Sequence, residues 1–228
     1  MSEPPKRRPI RSFVLRSGRM TEAQQRAYDE NWDQWGLEHN DGVLDAKVAF
    51  DRDADTVLEI GFGMGGSLVT MAAQSPQTNF VGVEVHRAGV GKLLHGIQEQ
   101  SLDNIRVYCH DAVEILRDCI AEDSLAGVQI FFPDPWHKKR HNKRRLIQPG
   151  FVEFLATRIR PGGTLHVATD WQHYAEQIMT VLSTCEQLDN SCPAGEYAPR
   201  PEYRPLTKFE ARGERLGHGV WDLIFRRS

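Results

Sequence analysis

The apolar positions of this chain follow two rhythms that take turns. Thr21 followed by Gln24 makes a capping-box signature and opens a helix expected to run to about Trp35. After the polar turn Asp51–Asp55, short apolar runs at Val57–Ile60, Phe80–Glu84, Ile105–Cys109, Val128–Phe132 and Thr164–Ala168 read as buried strands. Between them lie stretches of helical spacing: Ser67–Ala73, Ala88–Gln100 with Leu93, Leu94 and Ile97 on one face, Ala112–Ile120, and Phe151–Arg160, which should stop at Pro161-Gly162-Gly163. Trp171–Thr184 is amphipathic, Asp189–Pro205 carries four Pro and is expected to be loop, and Val220–Phe225 reads as a terminal strand. Such alternation predicts an α/β protein with a doubly wound, mostly parallel sheet. No repeat or linker breaks residues 21–228, which are expected to form one domain behind a flexible basic arm, residues 1–20. Within the arm, Ser12–Ser17 suits a short ordered strand.

Charge sharpens this picture. The net charge of the 228 residues is −3, yet of 28 Lys and Arg six fall in Lys6–Arg19 and six in Lys138–Arg145. An acidic body with two basic patches implies a polyanionic partner at a defined surface. There is no apolar leader and no apolar run of membrane-spanning length. The four cysteines, Cys109, Cys119, Cys185 and Cys192, show neither metal-ligand spacing nor a disulfide framework, so a reduced cytoplasmic protein without a metal is expected.

Two stretches carry candidate chemistry. In the first, Gly61, Gly63 and Gly66 follow a strand, open a helix and satisfy a dinucleotide fingerprint, with Glu84 about 20 residues on, placed for ribose hydroxyls. Taken alone this permits a nicotinamide dehydrogenase. Glu59, before the first glycine, suits a cation better than a pyrophosphate, and Asp111 adds an acid at the third strand end. Three carboxylates without nearby Lys or Arg suit S-adenosylmethionine, a sulfonium and ammonium compound with no phosphate. Each acid alone is more commonly a helix cap or turn residue.

In the second, Phe131-Phe132-Pro133-Asp134-Pro135-Trp136 runs into Lys138–Arg145. The prolines end a strand abruptly and present Asp134 and Trp136 where open sheets bind ligands. A carboxylate orients a reacting group, an indole stacks on a base or packs its own loop, and cations hold phosphates.

Eight stretches together resemble the bacterial tRNA (guanine-N7)-methyltransferases: Ser12–Arg16, Leu58–Gly65, Gly82–His86, Phe131–His137, Arg140–Arg145, Ala168–Trp171, Thr207–Glu210 and Leu216–Asp222. The residues before Ser12 and the loop Asp189–Pro205 take no part in the likeness. The resemblance implies a Rossmann-like sheet of the class I methyltransferase type with an antiparallel C-terminal strand. It implies S-adenosylmethionine as methyl donor, held by Glu59, Glu84, Asp111 and Asp134 beside the Gly61–Gly63 turn. It also implies substrate contacts from Lys138, Asp170, Thr207, Lys208, Phe209 and Glu210. RNA contacts fall to Arg140, His141, Asn142, Lys143, Arg144 and Arg145. The reaction implied is methylation of N7 of a guanosine in the tRNA variable loop, guanosine 46. Asp134 is the expected catalytic carboxylate, and Asp170 and Glu210 are candidates to accept from the guanine N1–H and N2–H₂. An exocyclic-amine methyltransferase, a vestigial RNA-binding fold and the dehydrogenase are the rival readings. The expected partner is tRNA, bound by a monomer or a homodimer.

Overall fold

The computed structural model describes residues 12, 13, 19–206, 210 and 219–228. Most of the basic arm, residues 14–17 of the expected Ser12–Ser17 strand, and Thr207, Lys208 and Phe209 lie outside the described residues.

Thr21 caps helix α1 (Glu22–Trp35) as expected: its hydroxyl accepts from the Gln24 amide while the Gln24 side chain accepts from the Thr21 amide. Strands β2 (Thr56–Ile60), β3 (Asn79–Val83), β4 (Ile105–Tyr108), β5 (Leu125–Phe131) and β6 (Ile159–Thr169) pair in parallel. They alternate with α3 (Gly66–Gln74), α4 (Arg87–Gln100), α5 (Ala112–Asp118) and α6 (Pro149–Ala156). Helix α7 (Gln172–Ser183) then leads to the antiparallel strand β8 (Trp221–Arg227) beside β6.

Four short elements escaped the periodicity reading: β1 (Gly36–Leu37), a 3-10 turn (His39–Asp41), α2 (Ala46–Phe50) and β7 (Leu188–Asn190), the last overlapping the start of the expected Asp189–Pro205 loop. β1 joins the β4 edge and β7 pairs with β8, giving an eight-stranded sheet ordered β1-β4-β3-β2-β5-β6-β8-β7. Pro161-Gly162-Gly163 does not separate helix from strand. It sits within β6, where the pairing jumps from Leu125–Ile159 to Gly127–Thr164, and Gly162 takes φ +77°. The extra residues form a bulge, for which Gly is suited and Pro tolerated.

The two faces of the sheet bury separate cores. Along β3, Val81 and Val83 face a core with Ile115, Leu155, Ile178 and Leu182, while Phe80 faces a second core with Leu68, Leu93, Leu94 and Ile97. This period-2 alternation directs α5, α6 and α7 to one face and α1, α3 and α4 to the other. Each fully buried Leu or Ile contributes about 1.5–3 kcal/mol. The sheet order reverses at β2, whose neighbours are β3 and β5, so a crevice opens above the carboxyl ends of these strands.

Candidate methyl-transfer site

A cavity of about 240 Å³ occupies that crevice. Its walls are strand ends: Ile60 and Gly61 after β2, Val83–His86 after β3, His110–Val113 after β4, and Ile130–Asp134 from β5, with Ser12 and Phe13 beside them. No Lys or Arg occurs among these described lining residues.

The glycine turn is tight. Gly61 and Gly63 take φ +74° and +59°, the left-handed region that side chains avoid. Helix α4 approaches it so closely that a Cβ on Gly89 would stand 2.1 Å from the Gly63 carbonyl oxygen. Glu84 locks the turn from below. One carboxylate oxygen accepts from the Gly63 amide at 3.0 Å, the other from the amides of Val85 at 2.7 Å and His86 at 3.0 Å. A carboxylate has about four acceptor sites, so Glu84 is held rigid with capacity left for a hydroxyl. Asp111 does two jobs. One oxygen caps α5 through the Val113 amide at 3.0 Å, and the other is uncommitted among the described residues.

A second cavity of about 240 Å³ lies beside the same turn, lined by Glu59, Gly61, Phe62, Gly63, Ser67, Phe131, Phe132, Arg204 and Pro205. Glu59 is buried, and its Oε2 has no hydrogen-bond partner among the described residues. Burial first, and then the Glu84 charge, push its carboxyl up to about 8. An orphaned buried acid calls for a cation or a proton. The first cavity thus offers carboxylate acceptors suited to hydroxyls, and the second an acid suited to a positive charge.

β5 ends at Phe131, as the prolines require. Phe132 and Trp136 adopt φ +53° and +46° on either side of Pro133-Asp134-Pro135, a conformation unusual for bulky residues and sustained only by surrounding contacts. The Phe132 amide donates to the Ala168 carbonyl at 2.8 Å, tying the turn to β6. Asp134 is exposed on the cavity rim. Trp136 packs the loop: its indole donates to the Ser12 carbonyl at 3.0 Å and the Arg144 guanidinium lies 4.1 Å from its ring centre. His137 meets Trp171 edge-on at 4.3 Å, which brings the loop beside Asp170. Asp170 does not cap α7, whose first turn has no side-chain cap, and its carboxylate has no partner among the described residues.

The basic strip Lys139–Arg144 forms a 3-10 helix with Lys138, Lys139, Arg140 and Lys143 exposed. Two expected RNA contacts turn inward. Arg145 is buried, donating to the Pro135 carbonyl at 2.7 Å and to the Gln177 side chain, and stacking 4.6 Å from the Tyr174 ring centre. It anchors the loop and has no surface to offer a phosphate. Arg144 covers Trp136 and reaches the Phe13 carbonyl at 3.4 Å. Partial burial and then the charges of Arg140, Lys138, Arg144 and Lys143 lower the His141 pKa, so the strip owes its charge to Lys and Arg. Asn142 is half-buried, its backbone carbonyl accepting from the Gln148 side chain at 3.0 Å.

Glu210 is buried, and both its oxygens accept from Arg204, at 2.6 and 2.8 Å. Arg204 also donates twice to Asp222, at 2.7 and 2.9 Å; Asp222 in turn bonds His166 at 2.7 Å, and Tyr203 meets the other ring nitrogen at 2.9 Å. Burial lowers the His166 pKa, so the ring is neutral and the network reduces to one guanidinium between two carboxylates. Leaving such a buried charge unpaired costs about 3–5 kcal/mol. Sequence reasoning missed Arg204, His166 and Tyr203. The one available signal was a polar His166 at an apolar position of a strand.

A family model described as a putative methyltransferase matches residues 53–223. A tRNA (guanine-N(7)-)-methyltransferase from Pseudoalteromonas atlantica is 56% identical over 220 residues, covering 96% of this chain and 92% of its own. Its counterpart in Yersinia enterocolitica is 56% identical over 221 residues, covering 97% and 92%. The chain belongs to the tRNA (guanine-N7)-methyltransferase family. Among solved structures, the 16S rRNA methyltransferase KamB is similar with a TM-score of 0.59, covering 82% of this chain and 94% of its own at 16% identity. That likeness concerns the fold alone, and it agrees with the class I methyltransferase architecture expected from the sequence.

Proposed function

We propose that the protein transfers a methyl group from S-adenosylmethionine to N7 of a guanosine in the tRNA variable loop, with Asp134 as the carboxylate that serves the reacting centre. The donor supplies an electrophilic methyl on a cationic sulfur. Glu84 and Asp111 are suited to its ribose and base, and Glu59 to one of its cationic groups, beside the turn at Gly61 and Gly63. Guanine N7 has a lone pair and no proton, so no side chain need act as general base there. What the site must do is hold nucleophile and methyl in line, worth about 7–11 kcal/mol of the barrier, and offset charge that grows on the purine. Asp134 is free to do the second. Asp170 is free to accept from the guanine N1–H and N2–H₂ edge, and Lys138, exposed on the same loop, to meet a phosphate. Thr207, Lys208 and Phe209 are assigned to the substrate by family likeness.

The observation that carries this reading is a crevice at the strand ends whose described lining holds acids and neither Lys nor Arg, next to four exposed cations. A pyrophosphate cofactor is disfavoured by the orphaned Glu59 beside the glycine turn. The test is transfer of labelled methyl to unmodified tRNA followed by nucleoside mass spectrometry. Label in 7-methylguanosine is expected. Label on N2 supports the exocyclic-amine reading, and RNA binding without transfer supports a vestigial fold.

Replacing Lys139, Arg140 and Lys143 together by Gln should flatten the plot of log affinity for tRNA against log salt by about two to three units, at about 0.7–0.9 for each phosphate no longer neutralised. Arg145→Ala should lower the melting temperature instead and leave that slope alone. Equal slopes for the triple variant and wild type would move the RNA to another face.

A further inference from the structure

Arg204 makes four hydrogen bonds from one buried guanidinium. Nε and one terminal nitrogen grip Asp222, and both terminal nitrogens grip Glu210, at 2.6–2.9 Å. Its third neighbour is the catalytic turn: the guanidinium carbon lies 5.6 Å from the Phe132 ring centre and 6.0 Å from that of Phe131. Phe132 is the left-handed residue two positions before Asp134, and Phe131 also meets His166 edge-on at 4.9 Å. The Asp222–His166–Tyr203 chain fixes the far side of the same guanidinium. A planar, bidentate clasp of this kind is rigid and specific in a way a lone ammonium is not.

We propose that Arg204 is a positioning residue for methyl transfer, clamping the Phe131–Phe132 strand end that presents Asp134, and that Glu210 acts by holding Arg204 rather than by touching the guanine. This rests on the functional reading above. It leaves Asp170 as the carboxylate for the base edge. It also separates two effects that a base-reading Glu210 would combine: geometry at the reacting centre, read in kcat, and recognition of tRNA, read in KM.

The experiment compares Arg204→Lys, Glu210→Gln and the double variant in the full chain, with methyl transfer to tRNA, calorimetry with S-adenosylhomocysteine, and thermal melting. Each single variant is expected to lose about tenfold to a hundredfold in kcat. KM for tRNA should stay within about threefold of wild type, and S-adenosylhomocysteine should still bind. The double variant should be no worse than the poorer single one, because the two residues act as a unit. A clasp that serves stability alone predicts lower melting temperatures with wild-type kcat, and that result overturns the proposal. So does a Glu210→Gln enzyme whose KM rises with kcat unchanged, or a double variant whose losses multiply. If Arg204→Lys does not fold, Glu210→Gln decides by the same division between kcat and KM, since Arg204 keeps Asp222 there. Failure of the functional reading would show in the wild-type arm as absence of 7-methylguanosine, whereas failure of the clasp shows only between variants and wild type.

Discussion

Asp134→Asn is expected to lower kcat for tRNA methylation by about 10²–10³-fold while S-adenosylhomocysteine still binds and the protein melts near the wild-type temperature. The side chain is exposed at the cavity rim and makes no structural hydrogen bond among the described residues, so the fold does not depend on it. Its backbone is held by the left-handed turns at Phe132 and Trp136, and Asn can occupy the same place without the charge. The loss therefore isolates the electrostatic contribution. Methylation at N7 turns a neutral purine into a cation, and a fixed carboxylate at the rim is worth more to that cation than to the ground state. Removing one preorganised electrostatic partner from a catalytic site costs about 10²–10³ in rate. Single-turnover kinetics at saturating tRNA give the measurement. Near wild-type turnover would reject the role for Asp134 and leave positioning as the whole of catalysis.

The second large effect concerns Glu59. With its carboxyl pushed up to about 8 by burial and by Glu84, it is protonated at pH 7 in the free protein. A cationic group of the cofactor favours the ionised form, so binding should release close to one proton at pH 7. Calorimetry in two buffers of different ionisation enthalpy reads that number directly. Glu59→Gln should release none and bind S-adenosylhomocysteine at least about tenfold more weakly at pH 8, where the wild-type carboxylate is ionised at little cost. The pH dependence of stability has a definite sign. The folded pKa of about 8 is above the ordinary 4.5, so between these values the unfolded chain binds fewer protons than the native one and stability falls as pH rises. Below pH 4.5 both states are protonated and the penalty vanishes. Glu59→Gln should therefore melt higher than wild type near pH 8 and equal to it near pH 4. A pH-independent difference, or equal proton release by both proteins, would mean that Glu59 does not meet the cation.

Much of the site was legible because its parts obey local rules. Strand and turn residues lie next to one another in sequence, so the acids after β3 and β4 and the Pro-bracketed Asp134 stood out at strand ends. The basic run was legible as composition, but its division was not. Arg145 and Lys143 look alike in sequence, and only the packing of Tyr174 and Gln177 against the loop turns one inward and leaves the other in water. Trp136 likewise had two readings, and only the tertiary structure shows its indole packed on the loop through the carbonyl of Ser12, 124 positions away.

By itself the sequence determined the alternation of strands and helices, the parallel core, the tight glycine turn and the family, since each follows from neighbours within a few residues or from matched motifs. Tertiary structure alone decided which charges are spent inside. Arg204 meets Asp222 18 positions away, Asp222 meets His166 across 56, and Glu59 is buried in the fold with one oxygen unpartnered among the described residues. Burial and long-range partners set the state of a charged group, and neither is encoded in the spacing of residues along the chain.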